Sequence, residues 1–600
     1  MTDTMTSLPH WDMSVIFPGL DSPEFNAAFS ALKSDIHALS ARADALGIDD
    51  LTTDAINDQT VATFDELTTS LNRLLEAGET VGAYIYAFVS TDSRDDLAQA
   101  KSSEFDQLIV DLTKVQTRYL AWIGTLDISA LTARSAVGQD HAYALELAQI
   151  QAQHLMSPPE EALAAELHVS GGSAWEKLHS NLWSRLMTPV DLDGETRDLP
   201  MSDIRNLAYD ADRDVRREGY EAELRGWESV ATSMAAAINS VKGEAITLLE
   251  RRRWDSAVDL ALFQNHLDRE TLDAMLTAAR ESFPDFRRYW RAKASLYGNT
   301  ALAWYDLFAP VGESSRVWAY ADAEAFIVEQ FGSYSPRMSD FAARAFRERW
   351  IDAEPRPGKS GGGFCMPIRA DESRVLVNYT PSYGGMSTVA HELGHAYHNF
   401  NLAERTPIQR ETPSTLAETA SIFCETIVRH AALANADRAE QLSIIDGSLQ
   451  DSSQVVVDIT SRFLFEQRLF AARRDHEVSI DELNRLMLDA QRETYGDGLN
   501  PDLLHPYMWA VKSHYYSSGH GFYNFPYMFG LLFGLGLYAR YQSDPSAFRA
   551  GYDDLLSLTG MVSPVTLAER FGIDLRSPDF WRASLAVVVE DINQFIELIG

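Results

Sequence analysis

The run Thr388-Val389-Ala390-His391-Glu392-Leu393-Gly394-His395-Ala396-Tyr397-His398 contains the pattern H-E-x-x-H within helical spacing. Two histidines four apart project from one face of a helix, a turn from each other, so both imidazoles can reach one tetrahedral cation. The glutamate between them points aside, where it can hold a water on that cation and act as a general base. Val389, Leu393, Ala396 and Phe400 supply the apolar stripe that a buried active-site helix needs. Zinc is the expected metal, although nitrogen and oxygen ligands also accept Mn2+ or Co2+.

A catalytic zinc takes three protein ligands and keeps one position open. Thr412-Pro413 reads as the N-cap and first residue of the next helix, which carries Glu418 and Glu425 seven apart on one face. Leu416, Ala417, Ala420, Ile422 and Phe423 leave little polar surface around them, and a buried acid needs a cation. Glu418 is therefore the expected third ligand, with Glu425 accepting an imidazole N–H behind it. A metzincin site would want glycine at 398 and histidine at 401, where this chain has His398 and Asn401. His398 is expected behind or beside the site, not on the metal. The two cysteines, Cys365 and Cys424, flank these segments, but the His, His, Glu set is the simpler ligand group.

Four segments, Lys359-Ser360-Gly361-Gly362-Gly363-Phe364-Cys365, Val375-Leu376-Val377-Asn378-Tyr379, His391 to His398 and Ala417-Glu418-Thr419-Ala420-Ser421, resemble in that order the thimet oligopeptidase and oligoendopeptidase F family. The oligoendopeptidase F branch is the more similar. The likeness extends to Trp11–Phe25 and to Tyr515–Tyr538, so it covers nearly the whole chain. It implies a large, mainly α-helical zincin-type metallopeptidase with a small β-sheet beside the active-site helix and a cleft or channel between two domains. The expected domains are a helical amino-terminal one over 1–199 and a catalytic one over 200–600. The implied activity is hydrolysis of internal bonds in short peptides, with one Zn2+ per chain. Metallocarboxypeptidase action and non-catalytic peptide binding around a structural zinc are the alternatives. The family also places a His and Tyr set at the oxyanion. In His514-Tyr515-Tyr516-Ser517-Ser518-Gly519-His520-Gly521-Phe522-Tyr523-Asn524-Phe525-Pro526-Tyr527, the residues that fit are His520 and Tyr527, with Tyr523 the weaker candidate.

Elsewhere the chain reads as a water-soluble globular protein. Its 51 basic and 87 acidic residues give a net charge of −36, which argues against nucleic acid or anionic membrane as a partner, while the family resemblance implies oligopeptides as the partner. Two cysteines imply no disulfide framework, and no basic, apolar leader is visible, so the cytoplasm is the expected compartment. Met528 to Tyr538 is too short to span a bilayer. Apolar periodicity predicts helices from Ser22-Pro23 to about Gly47, from about Thr60 to Ala77 and on to Leu126, and Asp193-Gly194 predicts a hairpin over Thr188–Leu199 that marks the domain boundary. Aromatic and β-branched residues at Trp304–Pro310 and Gly361–Thr380 predict a small sheet. Its free edge, with Gly361, Gly362, Gly363 and Phe364, is expected to pair with substrate backbone, since no Cβ intervenes at the glycines.

Overall fold

The computed structural model describes residues 8–48, 56–312, 316–369, 371–519 and 521–600. It is mostly helical, with a two-stranded and a three-stranded sheet among the described residues. No described helix is long and apolar enough to cross a membrane. The chain divides into two compact units. One joins Met1–Leu155, Arg316–Ala432 and Arg540–Leu567, and the other joins Met156–Ser315, Leu433–Ala539 and Ala568–Gly600. This differs from two consecutive domains meeting at residue 199, because each unit draws on three separate stretches. Packing between distant segments groups the elements, and local periodicity carries no trace of it.

The first unit begins with three helices, Pro23–Leu46, Asp58–Thr91 and Asp96–Ile123. Ser22 caps the first by accepting from the Phe25 N–H, and Gly47 closes it in the left-handed region at φ 62°. The periodicity seen to Ala77 continues without a break to Thr91, giving a helix of 34 residues. Phe25, Phe64, Tyr84 and Trp122 form the buried core of these helices, and it continues into Met366, Ile368 and Leu376 of the sheet.

That sheet has the order β3-β5-β4, with β3 at Ile351–Asp352, β4 at Phe364–Arg369 and β5 at Glu372–Leu376. Central β5 is buried at every position, as a strand covered on both faces must be. One face lies on the amino-terminal helical core. The other meets the helix Tyr383–Asn401, whose Asn399 donates to Ser373 Oγ at 3.1 Å. β3 and β4 are the edge strands. The stretch Trp304–Pro310 takes no part: Trp304–Asp306 is a 3-10 turn, and it belongs to the second unit. There the buried Asp306 accepts from Arg213 and Arg216, both at 2.9 Å.

The second unit is built on the helix Arg213–Arg251, whose Trp227, Met234 and Ile238 join Phe465, Leu469, Trp509, Tyr515 and Tyr516 in one core. The hairpin forms as expected from β1 (Met187–Leu192) and β2 (Glu195–Pro200), paired Leu192 to Glu195. Asp193 and Gly194 sit at φ 54° and 79°, the two left-handed positions that an Asp-Gly turn supplies. It lies inside the second unit, however, and so does not mark the boundary.

Candidate metal centre

Everything needed to hold a cation comes from the first unit. The helix Tyr383–Asn401 starts at Ser382, whose hydroxyl accepts from Gly385 N–H, and its Val389, Leu393 and Ala396 are buried as the apolar stripe requires. His391 and His395 are left half-buried on one side of it, with ring centroids 5.0 Å apart. The following segment differs from the single helix expected. A short helix Ser414–Ala417 with Pro413 as its N-cap ends at Glu418, and a new helix runs from Thr419 to Asn435. Glu418 therefore stands at a junction between helices, not midway along one.

That junction points its carboxylate at both imidazoles. Glu418 Oε2 lies 3.3 Å from His391 Nε2 and 3.3 Å from His395 Nε2, and one donor atom from each residue falls within 4.8 Å of the others. Donors about 2.1 Å from a tetrahedral zinc stand roughly 3.4 Å from one another, so the three residues fit such an ion with little movement. Among the described residues this is the group of three or more acidic, His or Cys side chains that could hold a metal. Neither cysteine belongs to it; Cys424 is buried against Met338 Sδ at 3.9 Å, and burial pushes both thiols up.

The charges around the donors ask for a cation. Burial favours the neutral form of Glu418, yet hydrogen bonds to His391 and His395 outweigh it and hold the carboxyl well below its ordinary range. Burial likewise works against a charged His391, but Glu418 and Glu425 on its two nitrogens draw a proton to it and raise it well above the usual value. A bound cation would take the place of that proton. Glu425 Oε2 sits 3.0 Å from His391 Nδ1, and Ser387 Oγ donates to its other oxygen at 3.2 Å. The pair fixes the ring so that Nε2 faces Glu418. Ser421 Oγ donates to Glu418 Oε2 at 2.7 Å. His398 is buried with Nε2 2.9 Å from Thr559 Oγ1, and burial pushes it down to about 4. The imidazole thus packs the helix against the segment around 559.

Glu392 is 6% exposed, and burial raises its proton affinity while the two histidines lower it. Its neighbour is the glycine run. A Cβ on Gly363 would stand 3.3 Å from Glu392 Oε1 and 3.2 Å from Thr388 Cγ2, a tight contact that glycine relieves. Gly361, Gly362 and Gly363 are exposed, and Phe364 is half-buried against Tyr86 with centroids 5.4 Å apart. The loop has a fixed course: Asn378 Nδ2 donates to Ser360 O and Gly362 O, and the buried Lys359 ammonium binds Asp352 at 2.7 Å.

Tyr523 and Tyr527 belong to the second unit. They are exposed, at 48% and 43%, and Tyr527 Oη donates to Tyr523 Oη at 3.3 Å. His514 stacks on Tyr523 with centroids 5.6 Å apart. His520 lies outside the described residues.

Sequence reasoning passed over Gly394, although glycine inside a helix costs about 1 kcal/mol against alanine and so asks for a reason. The reason is contact. A Cβ there would come within 2.6 Å of Ser421 Cα and 2.7 Å of Ala420 O, so the Glu418-bearing segment crosses the metal helix at this glycine. Gly394→Ala should push that segment out, weakening metal binding roughly tenfold or more and costing about 1–3 kcal/mol of stability. Competition with a chelating dye and thermal melting measure the two; wild-type metal affinity in the variant would show that the crossing does not set the ligand.

Residues 206–587 match the model of Peptidase family M3. The chain is 23% identical over 614 residues to an oligoendopeptidase F homolog of Lactococcus lactis subsp. lactis, covering 98% of this chain and 97% of that protein. It is also 23% identical over 557 residues to the group B oligopeptidase PepB of Streptococcus agalactiae, covering 90% of each. The fold is similar to the crystal structure of oligoendopeptidase-F from Enterococcus faecium, with a TM-score of 0.69 at 16% identity over 96% of this chain and 99% of that one.

Proposed function

The chain belongs to Peptidase family M3, and from that premise we propose that it is a zinc-dependent oligopeptidase cutting internal bonds of short peptides. The observation that carries the proposal is the convergence of His391 Nε2, His395 Nε2 and Glu418 Oε2, with Glu392 on the turn between the histidines. Zinc, when bound, would polarise the scissile carbonyl and lower the pKa of a water. Glu392 takes the proton from that water and passes it to the leaving amine. Its burial supports this role by making the carboxylate a stronger base than a solvated one. Glu425 and Ser387 keep His391 in the tautomer whose Nε2 is free for the metal. The edge of β4 and Gly361–Gly363 take the extended substrate backbone, with Phe364 lining its path.

Tyr523 and Tyr527, with His520, donate to the oxyanion as the tetrahedral centre forms. The exposure of both phenols supports a role outside the core. Tyr527→Phe and Tyr523→Phe should each lower kcat by roughly ten- to a thousandfold with little change in KM and normal metal content. A drop in melting temperature with kcat intact would make them packing residues instead. The two free thiols suit a reducing compartment, and we place the enzyme in the cytoplasm on that ground. Digestion of a peptide blocked at both ends, with and without a chelator, tests the whole reading. Internal cleavage that stops on chelation and returns with Zn2+ is expected; cleavage unaffected by chelator would overturn it.

A further inference from the structure

The second unit holds a cavity of about 260 Å³, bounded by Lys512 and Arg205, by the aromatic rings of Tyr209, Trp304 and Phe308, and by Gln454. Among the described residues the Lys512 ammonium has neither a hydrogen bond nor an ion pair, while every other charge near it is matched. Arg205 pairs with Glu223, Arg216 with Asp306 at 2.9 Å and Asp458 with Arg462, which leaves one uncompensated cation on the wall. Half-buried cations without a partner are uncommon because desolvation penalises them. Gln454–Asp458, which contributes to the wall, is a single π-helical turn between two α-helices, a distortion that concentrates at functional sites. Tyr209 and Phe308 face each other at 5.2 Å, and Tyr209 is 58% exposed, so an apolar wall lies open to solvent.

We propose that this cavity is a binding site for a small monocarboxylate with an apolar body, its carboxylate on Lys512 and its body against Tyr209, Trp304 and Phe308. A singly charged anion suits the site better than a phosphate dianion, because Glu223 and Asp458 also act on the amine and would repel a second negative charge. The volume lies just below that of pockets for drug-sized ligands and so admits a body of one or two residues. Burial and the nearby Arg462 push the amine down to about 7, and a carboxylate in contact would restore its charge. Such a carboxylate has two natural sources, the carboxyl end of a peptide and a free product.

Calorimetry on the zinc-loaded full chain tests the assignment with N-acetylphenylalanine and its uncharged amide as probes. The acid should bind, the amide should not, and Lys512→Met should weaken the acid roughly tenfold or more while melting no lower than the parent. Since a carboxylate can also bind a metal, the acid must still bind Glu418→Ala. Equal binding of acid by Lys512→Met, equal binding of the amide, or loss of binding in Glu418→Ala alone would overturn the site, whatever becomes of the peptidase reading. KM for peptides with free and amidated carboxyl ends then separates the sources: a rise in Lys512→Met confined to free-ended peptides assigns the site to substrate, and an unchanged KM with relief of inhibition by the acid assigns it to product.

Discussion

Glu392→Gln should bind metal and peptide as the parent does and yet lose roughly two to four orders of magnitude in kcat. The amide keeps the shape of the carboxylate on the helix Tyr383–Asn401, where the residue is 6% exposed. Glutamine cannot accept the proton of the attacking water, and no proton can then reach the leaving amine by this route. Zinc content should be unchanged, because Glu392 lies outside the three-donor group. Single-turnover kinetics with elemental analysis on one preparation make the test, and turnover equal to the parent's would refute Glu392 as the base.

Glu418→Ala should remove both the metal and the activity. This residue is the acidic donor of the group, and its Oε2 lies at the same 3.3 Å from both imidazoles, so its loss leaves two neutral nitrogens to hold a dication. His395→Ala should act alike by leaving one histidine and one carboxylate. The loss should appear as metal content near zero after dialysis and activity lowered by at least roughly a hundredfold, regained in part at high added zinc. Glu425→Ala is the contrast. It touches His391 only through Nδ1, so metal affinity should fall by roughly ten- to a hundredfold and activity should return fully on saturation. Full zinc occupancy in dialysed Glu418→Ala would remove that residue from the ligand set.

The parts of the site that were legible in sequence are those set by spacing along one helix. His391 and His395 come together because four residues make about one turn, and any helix over that stretch places them so. The Asp193-Gly194 turn was legible for the same reason, since left-handed backbone at two successive positions selects its residues locally. Glu418 could be picked from sequence as a buried acid, but the break at that residue could not: one helix ends at Ala417 and a new one starts at Thr419. Trp304–Pro310 shows the converse, a strand-like composition in a segment that forms a 3-10 turn, where Asp306 pairs with arginines some ninety positions away. Periodicity and turn chemistry within about one helical or strand repeat determined the helical class, the metal helix and the hairpin. Tertiary structure alone decided that Ser421 crosses at Gly394, that Gly363 lies beside Glu392, and which stretches make up each unit. Those depend on contacts between residues distant in the chain, whose closure entropy and packing no local pattern encodes.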